Sequence, residues 1–357
     1  LTYKNTLMLF SIIIPVYNSE KFLFESINSA LNQEKENRFL YEVIIVDDCS
    51  TDNSIKIAES FFPRDNYYIL STNKNSGPGT ARNVGVNKSI GKYILFMDSD
   101  DCLVLNGLSK LHNTLSLNNS NYDLIGYNWR YLTDYKNKIQ HSGGRRDVDC
   151  MLSKRGNLVD NYLSMKMDGS VIFTLIKRSL IMDNNIMFSS GYHEDIDYIF
   201  KLYYHADDIG YMNDEIYTKR NHSLSIMNNI TTKHIIGYMR AWREIFNFIC
   251  IKSSNQKELE SNIFSFRSGL TGAIGNLIIT IARINRQNPM HLFDCLYSQY
   301  TDNFVNNDAT NIKYIYPLPK VTNYDKVSTC FITSMELGDA DKVESLVFKC
   351  IKQYKSV

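Results

Sequence analysis

Three carboxylates crowd into four positions of KYILFMDSDDCL, Lys92 to Leu103: Asp98, Asp100 and Asp101, with only Ser99 between the first two. Acids this close repel one another unless something positive sits among them. Hard divalent ions take oxygen ligands, commonly one or two carboxylates with substrate phosphates completing the shell, so the triplet is a candidate Mg²⁺ or Mn²⁺ site. The preceding run, Tyr93 to Met97, has the length and the aromatic and branched content of a strand buried on both faces. Alternate residues of an extended segment point the same way, which predicts Asp98 and Asp100 aimed into one pocket at the strand's carboxyl end. The plainer reading, that Ser99 or Asp100 caps a helix over Leu103 to Leu117, accounts for one acid rather than three.

Other polar clusters recur at the ends of apolar runs. LFSIIIPV, Leu9 to Val16, reads as a buried strand that turns through Tyr17 to Glu20 into a helix over Lys21 to Asn32. YEVIIV, Tyr41 to Val46, ends in Asp47-Asp48, and Ser50-Thr51-Asp52 supplies cap chemistry for a helix reaching about Phe61. A short strand over Tyr67 to Leu70 leads into the Gly- and Asn-rich loop Asn73 to Thr80 and a helix over Ala81 to Ser89. This alternation argues for a mostly parallel doubly wound sheet, whose ligands sit beyond the carboxyl ends of its strands.

Beyond the strand Tyr122 to Tyr127, the polar stretch Arg130 to Asp149 predicts a surface hairpin or loop. Val171 to Ile176 returns as a strand. Glu194-Asp195 then begins an amphipathic helix marked by Ile196, Ile199, Phe200, Leu202 and Tyr203, and Ile209 to Thr218 is extended. From Ile235 onward the patterns are helical, which places a domain boundary near 230: an α/β domain over 1–230 and a helical one over 231–357, with a last helix over Asp339 to Cys350.

The 357 residues are 44% hydrophobic and 22% charged, enough for one substantial core and a second lobe. A net charge of +1 offers no field for gripping nucleic acid, and no such partner is expected. Seven scattered cysteines without a C-x-x-C pair fit reduced thiols and a cytoplasmic location. The longest apolar stretch, Leu270 to Ala282, is too short to span a bilayer, and no secretory leader is expected. The chain opens on Leu1, and Met8 is a candidate natural start.

SIIIPVYN (Ser11 to Asn18), VDDCSTD (Val46 to Asp52), NSGPGTARNVGV (Asn75 to Val86), MDSDD (Met97 to Asp101), HED (His193 to Asp195) and RNHSLS (Arg220 to Ser225) stand in one order. The set resembles the family 2 glycosyltransferases of the GT-A fold, of the bacterial surface-polysaccharide type, over roughly Leu9 to Met227. The resemblance implies an inverting, metal-dependent transfer of a hexose or N-acetylhexosamine from a nucleotide sugar, by preference a UDP-sugar, to a glycan or lipid-linked acceptor. By the same resemblance, Pro15, Tyr17, Glu20, Asp48, Asn75, Arg82, Asp98, Ser99 and Arg220 bind the nucleotide sugar. Asp48 would accept the uracil N3–H, Tyr17 would flank the ring, and Arg82 would face the nucleotide or its phosphates. Asp98, Asp100 and His222 would hold Mn²⁺ or Mg²⁺, with Arg220 or Lys219 at the diphosphate. Asp195 would be the base that takes the acceptor's proton, and Glu194 or His193 would position acceptor or donor.

Each of these residues also has a structural reading: helix capping for Asp47-Asp48, dipole complementation for Glu194-Asp195, packing for Tyr17 and a surface loop for His222. Sugar-phosphate nucleotidyltransferases, which grip a nucleoside triphosphate with a glycine-rich basic loop after the first strand, are disfavoured by Pro15-Val16-Tyr17-Asn18. A non-catalytic, transferase-like subunit that binds nucleotide or glycan within a larger assembly is the other alternative. For the helical region, docking on the inner face of the membrane, pairing with another copy and ordinary core packing all stay open. Abundant Asn, Ile, Lys and Tyr fit an AT-rich bacterial genome, and hence capsule or lipopolysaccharide assembly.

Overall fold

In a computed structural model of the protein, the structure describes residues 8–33, 40–117, 121–133, 138–153, 155–167, 169–221, 230–284, 290–300 and 302–303. Asp339 to Cys350 lies outside the described residues. The chain divides into two compact units, Leu1–Arg155 with Gly169–His222, and Gly156–Asp168 with Ser223–Val357.

The first unit begins with β-α alternation: β1 (Met8–Val16), α1 (Leu23–Leu31), β2 (Leu40–Asp47), α2 (Ser54–Glu59), β3 (Tyr67–Ser71), α3 (Pro78–Lys88) and β4 (Tyr93–Phe96). Strands β3-β2-β1-β4 pair in parallel, with Ile12 to Ile14 of β1 opposite Val43 to Ile45 of β2. The middles of β1 and β2 are apolar because both of their faces are buried, and Ile12, Ile13, Ile14, Val43, Ile44 and Ile45 are wholly buried. Each such side chain contributes roughly 1.5–3 kcal/mol relative to an exposed one. Helix α3 starts at Pro78, three residues before the expected Ala81, because Gly77 adopts φ +88° as its N-cap and proline suits the first turn.

After β4 the pattern changes. β5 (Cys102–Leu103), α4 (Gly107–Leu117), β6 (Leu124–Thr133), β7 (Lys138–Gly143), α5 (Val148–Met151) and α6 (Arg155–Leu163) follow. A 3-10 turn over Val171–Phe173 then precedes β8 (Thr174–Lys177), α7 (Arg178–Asp183), α8 (Glu194–His205) and β9 (Ile209–Asn221). The nine-stranded sheet runs β3-β2-β1-β4-β8-β6-β9-β5, with β7 on β6. Its second half is mixed: β8 is antiparallel to β4 and β6, β9 is parallel to β6, and β5 is antiparallel to β9. The stretch expected as a hairpin or loop is the β6-β7 hairpin, and Arg145 just beyond it is a buried anchor. Its guanidinium holds both oxygens of Asp147 (3.0 and 3.1 Å), the Phe173 carbonyl, the Thr174 hydroxyl and the Tyr203 hydroxyl.

The second unit contains most of α6 together with α9 (Thr232–Lys252), α10 (Gln256–Ile284) and α11 (Met290–Tyr300). A capping box between Thr231 and His234 starts α9. Trp242 and Phe246 pack on Phe266, with ring centroids 5.5 and 5.3 Å apart. A glycine stands at position 269 because any Cβ there would strike the Leu163 carbonyl of α6. Among the described residues, no helix is long and apolar enough to cross a membrane.

Candidate functional site

Strand β4 ends at Phe96, and the acid cluster is made by a turn rather than by strand alternation: the Asp101 N–H donates to the Asp98 carbonyl at 3.1 Å. The turn gathers the carboxylates of Asp98, Asp100 and Asp101 so that their ligand atoms lie within 4.8 Å of one another. Asp98 and Asp100 are half-buried and Asp101 is buried. Burial pushes the Asp101 carboxyl well above the usual range, and the charges of Asp100 and Asp98 push it further. Oxygen donors in such mutual repulsion fit a hard divalent cation, with Asp98 and Asp100 the accessible pair.

Strand β9 holds this turn from below. The Tyr217 hydroxyl donates to Asp101 (2.7 Å) and accepts the Asp98 N–H (3.0 Å), and the Arg220 N–H donates to the other Asp101 oxygen at 2.7 Å. Arg220, expected at the diphosphate, is here engaged with the protein. Its Nε donates to the Asp100 carbonyl (2.9 Å), a terminal nitrogen donates to Glu25 (2.5 Å), and the guanidinium lies 4.7 Å from the Phe22 ring centroid. It ties the turn to α1. His222 lies outside the described residues.

Helix α3 carries the connection to the second acidic pair. Arg82, buried, donates to Asp98 at 2.9 Å and to Glu194. Expected to face the nucleotide or its phosphates, it lies between the acid turn and the start of α8. The approach of α3 to α8 is close enough that a Cβ at Gly79 would sit 2.5 Å from the Ser189 carbonyl and 2.8 Å from the Glu194 side chain. Asn83 locks the same loop by exchanging hydrogen bonds with the Phe188 carbonyl and N–H, both at 2.9 Å. Phe188 in turn stacks on Tyr198, with centroids 3.6 Å apart. His193 takes the left-handed conformation, φ +57°, to begin α8.

Asp195, half-buried, therefore sits next to the Arg82–Glu194 pair. Its carboxyl is pushed up from 3.8 to about 7, first by burial and then by the Glu194 charge, against the pull of Arg82. The sign for stability follows. Between pH about 4 and about 7 the folded chain keeps a proton that the unfolded chain has lost, so this group's contribution falls as pH rises through that window. In denaturant unfolding without metal, the wild type loses more stability between pH 5 and pH 8 than Asp195→Asn does. Equal losses would show that Asp195 ionises normally.

On the other side of α3, Asp48, expected to read uracil, shapes the glycine loop. Buried, it accepts from the N–H groups of Ser76 (3.0 and 3.1 Å) and Gly77 (2.6 Å) and from the Thr72 hydroxyl (2.6 Å). Both oxygens are occupied in shaping the glycine loop. Glu20 likewise accepts from the backbone and side chain of Asn53, and Asn18 accepts from the Thr51 N–H at 2.7 Å, so these two residues stitch the ends of β1 and β2 together. Pro15 is buried in β1 opposite Val46. Tyr17, 47% exposed, and Asn75, also exposed, lie on the rim with surface to offer a ligand. Ser99 shares a 2.6 Å hydrogen bond with Ser19.

Sequence reasoning missed Tyr217, Glu25 and the anchoring part played by Asp101. A tyrosine in a strand reads as core, and only its partners 116 and 119 residues away reveal otherwise.

A parallel half-sheet with a carboxylate turn at one strand end, extended by mixed strands that bring a second acid pair to the same edge, is the GT-A arrangement. A crystal structure of Staphylococcus aureus TarS 1-349 in complex with UDP-GlcNAc shares this fold. Its TM-score is 0.65 at 19% identity, over 98% of this chain and 92% of that one. Residues 11–170, a little under half of the chain, match the model described as Glycosyl transferase family 2.

Among its relatives, the S. aureus poly(ribitol-phosphate) beta-N-acetylglucosaminyltransferase TarS is 31% identical over 225 residues, 60% of this chain and 36% of that protein. Glycosyltransferase GlyG of Streptococcus pneumoniae is 29% identical over 245 residues, 67% of this chain and 78% of that one. The Bacillus spizizenii poly(ribitol-phosphate) beta-glucosyltransferase is 33% identical over 204 residues, 55% of this chain and 29% of it. The chain thus matches only about a third of the length of the two poly(ribitol-phosphate) transferases.

Proposed function

We propose that this protein transfers a hexose or N-acetylhexosamine from a nucleotide sugar, with inversion, to a hydroxyl of a bacterial surface glycan or its lipid-linked precursor. The observation that carries the reading is Arg82, whose one guanidinium spans Asp98 and Glu194 and so sets the cation-binding acids and Asp195 around a common group. Mn²⁺ or Mg²⁺ held by Asp98 and Asp100 would supply charge neutralisation for the departing nucleoside diphosphate. Asp195 accepts the acceptor hydroxyl's proton as that oxygen bonds to the anomeric carbon and the bond to the diphosphate breaks. Glu194, held by Arg82, fixes the start of the helix that carries the base. Tyr17 flanks the donor base. Lys219, half-buried and lying 5.6 Å from the Phe173 ring centroid, or Arg220 meets the diphosphate.

A UDP donor is supported by the ligand named in the TarS crystal structure, and a surface polymer acceptor by the names of the poly(ribitol-phosphate) transferases. The reading places the enzyme in the cytoplasm at the inner face of the membrane, with a helical domain from about 231. Capsule, lipopolysaccharide and teichoic-acid-like polymers are the acceptor classes to test. Nucleoside diphosphate release from a panel of donors, with and without acceptor, is the direct assay. Release dependent on one donor supports transfer, whereas binding without any release would leave a non-catalytic subunit.

Replacing Asp100 by Ala removes one of the two accessible ligands. Calorimetry should then show UDP binding that Mn²⁺ no longer strengthens, where the wild type gains affinity with the metal. An unchanged metal effect would remove Asp100 from the ligand set.

A further inference from the structure

We propose that Tyr217 and Asp101 are positioning residues that set the Asp98 and Asp100 carboxylates for the divalent cation, and that Asp101 does not ligate it. The inference rests on the metal reading given above and adds to it which side chains make the site. Three parts of the acid turn are fastened to β9. The Asp98 N–H donates to the Tyr217 hydroxyl at 3.0 Å, the Asp100 carbonyl accepts from Arg220 Nε at 2.9 Å, and the Asp101 carboxylate accepts from Tyr217 and from the Arg220 N–H, both at 2.7 Å.

Because its proton goes to Asp101, the tyrosine hydroxyl has a lone pair to offer Asp98, so one oxygen straps the first and last acids of the turn. Asp101 is 2% exposed and each of its oxygens already accepts a hydrogen bond, which disfavours it as a ligand. Its neighbours, half-buried, are the more accessible acids. The strap is itself rigid. Tyr217 is wholly buried, lies opposite Trp129 in the long pairing of β9 with β6, and meets the Phe173 ring edge-on at 5.7 Å. Groups that orient metal ligands in this way typically matter by 10–100-fold in metal affinity.

The test is Mn²⁺ binding to the full chain in the presence of UDP, read from the electron paramagnetic resonance of the free ion. Tyr217→Phe keeps the ring and removes only the hydroxyl, and should weaken binding about tenfold or more. Tyr127→Phe is the structural control. It deletes an equally buried hydroxyl that donates to the Ile172 carbonyl at 2.9 Å, away from the turn, and should leave Mn²⁺ affinity within about twofold. Asp101→Asn should weaken binding as Tyr217→Phe does while keeping one ion per chain, and the double variant should be little worse than either alone, since both cut one strap. Asp100→Asn should lose the ion.

Unchanged affinity in Tyr217→Phe, an equal fall in Tyr127→Phe, or a loss in Asp101→Asn as complete as in Asp100→Asn would each overturn the inference. A wild type that binds no Mn²⁺ would instead overturn the metal reading beneath it.

Discussion

Asp195→Asn lowers transfer by about 10²–10⁴-fold while leaving nucleotide-sugar affinity nearly unchanged. The substitution keeps the shape of the side chain and removes its ability to take a proton. Nothing on the donor side depends on that proton: the glycine loop is shaped by Asp48, and the acid turn is held by β9. A carboxyl pushed up to about 7 by burial and by Glu194 is well matched to neutral pH, because it is substantially ionised there and still basic enough to accept a proton. In the wild type, kcat/KM should accordingly rise with pH through about 7, and the residual activity of Asp195→Asn should lack that limb. Turnover by nucleoside diphosphate release and donor binding by calorimetry separate the two effects. If Asp195→Asn turned over normally while Glu194→Gln did not, the roles of the two acids would have to be exchanged.

How much of this was legible in the sequence depended on the range over which a residue acts. Strands β1, β2 and β4 and the helices between them were visible because parallel strands covered on both faces must be apolar runs. Strand β5 was not visible: two residues, Cys102 and Leu103, carry no period, and the expected helix over Leu103 to Leu117 begins only at Gly107. Helix α6 lay in a stretch with no strong apolar face, and its membership of the second unit shows in the close passage of Gly269 by Leu163 and in the hydrogen bond from the Ser265 hydroxyl to Asp160. The acids at 98, 100, 101, 194 and 195 were conspicuous by type and crowding, but what each one touches was not. Asp48 and Arg220 have the chemistry to hold a nucleotide, and hydrogen bonds from Gly77 and to Glu25 also tie them into the scaffold. No local spacing encodes a partner 195 residues away.

Arg82 is the point where scaffold and chemistry cannot be separated, and Arg82→Met tests it. The side chain is 7% exposed, and its removal leaves Glu194, itself 9% exposed, facing Asp98 with no cation between them. Stranding a buried charge in this way costs about 3–5 kcal/mol, so the denaturant midpoint should fall steeply. Arg82→Lys should recover only part of the loss. A point charge on a flexible stem cannot fork to two carboxylates as a guanidinium does. The decisive variant is Arg82→Met with Glu194→Met. Replacing a buried pair by apolar side chains of similar volume is often close to neutral, so most of the lost stability should return with the uncompensated carboxylate gone. Transfer should stay depressed, since nothing then ties the start of α8, and Asp195 with it, to the acid turn. A double variant no more stable than Arg82→Met would show that the arginine stabilises through packing against Phe188, 5.4 Å from the ring centroid, rather than through charge. A stable double variant with full activity would show that the bridge between the two acid groups has no part in the reaction.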